Sequence, residues 1–279
     1  MPQRFGEERL GQLPMSSSAR RSGSLYGNTT QDQGASMTRA PKLDFAIIGA
    51  QKSASTYLQD ILTMHPEICL HAGEIAAFED PWYHSGTSTY IDRLFDSSGK
   101  CEVRGIKRPD SLARPEVPPR LAADFPDLRL IVVLRDPVSR AVSAYFHYVR
   151  HRWIPHLQLN QGFEALLNGS LRERYSRANE ILDFGNYGEH LTRYLSHFPK
   201  SSFLVISQED LLANPALWAG RALRHVGVDA TSSEVELPTR ASNEGIYADA
   251  RLSVARAVNG LRYEYDATSR LRLRRRFSV

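Results

Sequence analysis

The chain has 279 residues, 42% of them hydrophobic and 24% charged, with a formal net charge of +4 and a pI of about 9.1. Such a length and apolar share allow one large α/β domain or two small ones. The mild basic excess suits an anionic ligand without calling for nucleic acid. No run of roughly 18 or more apolar residues exists, so no transmembrane anchor is expected. The N-terminus lacks an apolar signal-like stretch, and a cytoplasmic protein is the expectation. The two cysteines, Cys69 and Cys101, form no CxxC pair or Cys/His cluster, which argues against zinc and a disulfide framework. Both are expected to be reduced thiols, in keeping with a reducing compartment.

Residues 1–41 are rich in Ser, Gly, Gln, Thr and Arg and read as a disordered leader, followed by a single domain over 42–279. Leu43–Gly49 is a short apolar run ending in Gly, a candidate buried strand. Ser55–His65 has Leu58, Ile61 and Leu62 at helical spacing, with Ser55 or Thr56 near its cap and Pro66 ending it. Ile68–Leu70 and Val103–Lys107 are short strand candidates, and Leu128–Leu134 is the strongest buried strand. A helix follows over Val138–Arg152, with Pro137 at the favoured first helical position. Asn186–His197 is an amphipathic helix with Tyr187, Leu191, Tyr194, Leu195 and Phe198 on one face. Phe203–Ser207 is a further strand, with a helix near Pro215–Val226 after it. This alternation predicts an α/β fold, a central parallel sheet flanked by helices, with ligands at the carboxyl ends of the strands.

Two motifs lie at such strand ends. In the first, Gly49-Ala50-Gln51-Lys52-Ser53-Ala54-Ser55-Thr56 joins a strand to a helix. A helix N-terminus offers unpaired N–H groups and a positive dipole end to an anion, and Gly49 would allow a sharp turn. Lys52 adds a charge, and Ser53, Ser55 and Thr56 add hydroxyl donors. Only five of the 35 basic residues are lysines, so a Lys at this place is less easily accidental. The spacing departs from the GxxxxGK[ST] loop of nucleoside triphosphatases, since no Gly precedes Lys52. In the second motif, Leu130–Leu134 delivers Arg135 to a strand end, and Ser143 follows on the next helix. Arg135 offers a planar fork of donors suited to a dianionic phosphate, unless a carboxylate pairs with it. Asp136 is a candidate helix cap, and Arg140 and Arg150 are expected on a solvated face.

With these two motifs in this order, the chain resembles the 3′-phosphoadenosine 5′-phosphosulfate (PAPS)-dependent sulfotransferases, and most of all the heparan-sulfate type. The first signature of that family, G-x-[QR]-K-x-[GA]-[ST]-x-x-[LM], matches Gly49–Leu58, and the second, L-R-[DN]-P-x-x-R-x-x-S-x-Y, matches Leu134–Tyr145. Further matches are His65-Pro66-Glu67, Glu74–Phe78, Tyr83–Tyr90, Lys107–Pro109, Tyr187–Tyr194 and Glu209-Asp210-Leu211. The resemblance covers roughly residues 43–228 and implies a P-loop-like sulfotransferase fold. It implies that Lys52, Ser53, Ala54, Ser55 and Thr56 wrap the 5′-phosphosulfate of PAPS, and that Arg135 and Ser143 hold its 3′-phosphate. It also puts Glu74 where relatives carry a catalytic base and Lys107 where they carry a supporting Lys. The acceptor would be a hydroxyl or amine, on a carbohydrate, glycolipid or glycosylated small molecule, with no metal required. Ala54 stands where Gly is usual, so the loop is expected to be slightly displaced. A late cofactor loop would fall at Arg240–Gly245.

Some alternatives stay open. His71 is a second candidate base. Trp82, Tyr83 and Trp153 are candidates for a sugar platform, or ordinary packing. His147, His151 and His156 are expected to be partly exposed. The basic tract Ser269–Arg276 is either a solvated tail or an anion grip. A P-loop kinase or nucleotidase, and a non-catalytic polyanion-binding protein on the same scaffold, are the rival functions. Oligomeric state is not legible in the sequence.

Overall fold

The structure, a computed structural model, describes residues 41–96, 102–229, 249–265 and 271–273. Five strands, β1 (Phe45–Gly49), β2 (Ile68–Glu74), β3 (Val103–Lys107), β4 (Arg129–Leu134) and β5 (Phe203–Ser207), form one parallel sheet in the order β2-β3-β1-β4-β5. The chain thus builds one side of β1 with β2 and β3, then crosses to the other side with β4 and β5. The point where the order reverses lies at the carboxyl ends of β1 and its neighbours, where such sheets bind ligands.

The sheet is buried on both faces, as its near-continuous apolar strands require. Successive side chains alternate across it. Ala46 and Ile48 of β1, with Leu130 and Val132 of β4, face a core shared with Ile91, Leu112, Leu121 and Tyr194. Phe45 and Ile47, with Ile131 and Val133, face the opposite core, which holds Leu58, Ile61, Leu62 and Leu223. The covering helices include α1 (Ser55–Leu62), α2 (Thr87–Arg93), α3 (Val117–Asp124) and α4 (Pro137–Arg150). A third cluster packs Tyr145, Tyr148 and Val149 of α4 against Ile154, Leu166, Ile181 and Leu252.

Several expectations change. The predicted amphipathic helix spans Tyr187–Leu195; it buries Tyr194, while Leu195 is exposed. Gly49 is required for packing: a Cβ there would lie 2.6 Å from Leu112 Cβ. Arg140, expected in solvent, is 0% exposed and donates to the carbonyl of Ile181. Arg150, also expected on a solvated face, lines the central cleft instead. Cys69, expected to be a reduced thiol, is disulfide-bonded, which removes that support for a reducing compartment. Cys101, the other cysteine of the sequence, lies outside the described residues, as do Arg240–Gly245, residues 1–40 of the leader and most of the basic C-terminal tract. Leu271–Leu273 of that tract pairs antiparallel with Tyr263–Tyr265.

Candidate active site

A cleft of about 1110 Å³ opens over the carboxyl ends of the strands. One of its walls is the loop after β1. There Lys52 and Ala54 take left-handed backbone conformations, with φ of 67° and 66°. Such a turn aims successive backbone N–H groups into a concavity that suits an anion. Ala54 is also the residue preceding α1, and no side chain caps that helix, so its first N–H groups stay available to a ligand. The expected Ser55 or Thr56 cap is therefore not made. Ala54 adopts the left-handed conformation a glycine would take more easily.

β4 runs beside β1, and this pairing brings the two sequence motifs together. Arg135 Nη1 donates to the Lys52 carbonyl at 3.3 Å. Among the described residues no carboxylate pairs with Arg135, so the structural ion pair weighed for it is not observed. Asp136 accepts from Ser139 N at 2.7 Å and caps α4, as expected. Ser143, two turns on, is buried and lines the same cleft, followed by His147 and Arg150.

Burial lowers the Lys52 ammonium to a pKa of about 8; Arg150 and Arg135 push the same way, and Glu74 partly opposes them. His147 on this wall and His151, which is not among its lining residues, are half-buried, in line with expectation. Burial, then the Lys52 charge, holds His147 well below the usual histidine range; burial, then Arg150, takes His151 to about 4. Both rings are neutral near pH 7.

β2 ends at Glu74, which lines the cleft with a side chain 43% exposed. The alternative base, His71, is not on that wall; its ring bonds the Gly73 backbone. Lys107 is 4% exposed and lies off the wall, with its ammonium 3.0 Å from Thr56 Oγ1. Burial lowers its pKa, against the pull of Glu74 and Asp60. Its place is beneath the loop, where it braces Thr56. Trp82 and Trp153 line the cleft; Tyr83 does not, and packs on Phe78 with Arg120 over its ring.

The sequence did not point to an ionic network under the β2–β3 half of the cleft. Arg108 grips Glu79 with two bonds, of 2.6 and 2.9 Å, and reaches Glu74 at 3.0 Å and Asp110 at 3.4 Å. Arg177 and Arg114 each lie 2.7 Å from Glu180, which also accepts from the Tyr148 hydroxyl. Gln51 of the first motif donates to Asp110 at 3.0 Å and so ties the loop to this network. Despite full burial, the guanidinium groups of Arg108, Arg177 and Arg114 hold the Asp110 carboxyl below its ordinary range. Among the described residues no group of His, Cys, Asp and Glu could hold a metal ion, and no helix is long and apolar enough to cross a membrane.

A family model described as a sulfotransferase domain matches residues 42–243. Mouse (Mus musculus) heparan sulfate glucosamine 3-O-sulfotransferase 3B1 is 33% identical over 174 residues, covering 61% of this chain and 42% of that protein. Human (Homo sapiens) bifunctional heparan sulfate N-deacetylase/N-sulfotransferase 2 is 31% identical over 188 residues, covering 64% of this chain and 21% of that protein. The chain spans less than half the length of these two relatives. Among solved structures, a sulfotransferase from Alicyclobacillus acidocaldarius aligns with a TM-score of 0.60 at 25% identity, over 76% of this chain and 90% of that one.

Proposed function

The chain belongs to the sulfotransferase domain family, and on that premise we propose that it moves a sulfuryl group from PAPS to an acceptor hydroxyl or amine, on a carbohydrate. The observation that carries this reading is the junction of Arg135, which has no carboxylate partner among the described residues, with the uncapped, left-handed loop at Lys52–Ala54. Anion-binding groups from two motifs on one cleft wall suit a donor with a phosphosulfate at one end and a 3′-phosphate at the other. The loop N–H groups, Lys52, Ser53, Ser55 and Thr56 would hold the first, and Arg135 with Ser143 the second.

In the transfer, the acceptor oxygen forms a bond to sulfur while the bond from sulfur to the 5′-phosphate oxygen breaks. Glu74 takes the acceptor proton as general base. Lys52 and the loop N–H groups offset the charge that gathers on the leaving phosphate. Lys107, through Thr56, positions the loop. These groups supply the proton transfer and the charge balance from protein side chains and backbone alone.

The test is thermal stabilisation by adenosine 3′,5′-bisphosphate, beside ATP with magnesium. A ligand at 100 times its dissociation constant adds about 2.7 kcal/mol. The bisphosphate should stabilise the wild type and Glu74→Gln, and fail with Arg135→Ala. Transfer from PAPS should fall at least about a hundredfold in Glu74→Gln. Stabilisation by ATP alone would put a kinase in its place. Binding of the bisphosphate with no transfer to any acceptor would favour the non-catalytic reading.

A further inference from the structure

The sheet order divides the cleft. The loop after β1 and the strand end of β4 form the half assigned above to the donor, with Lys52, Arg135 and Arg150 on its wall. The segments after β2 and β3, joined by the 176–180 segment that follows α4, form the other half, which must take the acceptor because Glu74 stands there.

The two halves differ in how their cations are used. Among the described residues, each arginine lining the acceptor half is already engaged by carboxylates. Arg108 holds Glu79 at two points and also meets Glu74 and Asp110. Arg114 holds Glu180, and Arg177 holds Glu180 and lies 3.6 Å from Asp110. Arg177 is further fixed by the Trp153 ring, 3.8 Å from its guanidinium carbon. Asp80, 72% exposed on the rim, adds another carboxylate, backed by Arg120. A polyanionic chain entering here would have to displace a carboxylate from each arginine it engaged, and would meet the released carboxylate at close range. An uncharged sugar meets no such penalty. Its hydroxyls can donate to Asp80 and Glu74, and its apolar faces can rest on Trp82 and on Tyr90, which is 47% exposed at the rim.

We propose that the acceptor is an uncharged, hydroxyl-bearing sugar unit, and that the carboxylates paired to Arg108, Arg114 and Arg177 select against polyanionic glycans such as those in the names of the relatives. The proposal rests on the sulfotransferase reading and deepens it.

The test is calorimetric titration of the full chain, saturated with adenosine 3′,5′-bisphosphate, with a heparin-derived tetrasaccharide at low salt. Glu79→Gln removes the two-point partner of Arg108, leaving Glu74 and Asp110 beside it, and Glu180→Gln removes the partner shared by Arg114 and Arg177. Both variants are expected to bind the tetrasaccharide at least tenfold more tightly than the wild type, a gain that misfolding does not produce. The proposal is overturned if both variants gain nothing, or if wild-type binding falls tenfold or more in Arg114→Gln or Arg177→Gln. Binding of the bisphosphate, measured in the same samples, reports separately on the sulfotransferase reading; if it is absent, that reading fails however the tetrasaccharide behaves.

Discussion

Lys52 lines the proposed donor site with its own charge weakened by its surroundings. With a pKa near 8 in the free protein, set first by burial and then by Arg150, it is partly neutral at mildly alkaline pH. A bound phosphate favours the charged form and raises that pKa, so binding above about pH 8 takes up a proton. By linkage, affinity for adenosine 3′,5′-bisphosphate then falls as pH rises past 8, by up to about tenfold per pH unit. Titration calorimetry in buffers of different ionisation enthalpy should register that proton near pH 8.5, and Lys52→Met should abolish it; a pH-independent affinity in the wild type would refute the assignment. The placement of Lys52 and Arg135 in the cleft was legible because each follows a recognisable strand end, and Ser143 was legible from its place two turns into the helix that starts at Pro137. Arg108 was not, because its role depends on Glu79 and Glu74, 29 and 34 residues away. Arg140 misled for a related reason: its burial follows from the fold of the 176–183 segment, where it meets Ile181.

At the scale of elements, the strands followed their apolar runs closely, since a run buried on both faces has few other places to go. Helix ends were less legible. α1 stops at Leu62, well before Pro66, and its start is set by the left-handed Ala54 with no side-chain cap. The contact between β1 and β3 shows what packing demands of a single position. A Cβ on Gly105 would lie 2.2 Å from the Phe45 ring, which is wholly buried. Gly105→Ala should therefore destabilise the protein by about 1–3 kcal/mol, read from the denaturant midpoint. Phe45→Leu in the same chain should return part of that loss; additive losses would show that the ring is not the cause. Nothing in the residues around Gly105 announces this need, because Phe45 reaches it only across the sheet.

For the whole molecule, the cross-link at Cys69 bears on stability. Reduction should lower unfolding free energy by about 2–4 kcal/mol, seen as a shift in the urea midpoint with and without reductant. An unchanged midpoint, with the thiol then open to alkylation in the native state, would refute it. The sequence by itself determined the alternation of strands and helices, the two strand-end motifs and the family they resemble. Those properties reside in short runs of chain, where periodicity and helix-end chemistry act locally. The tertiary structure alone decided that the motifs meet, through the pairing of β1 with β4, and that Glu74 rather than His71 faces the cleft. It alone also decided that Arg108, Arg114 and Arg177 are held by carboxylates. Charge pairing depends on distance in space, and residues as far apart as Arg114 and Glu180 become neighbours only once the sheet has set the positions of the loops that carry them.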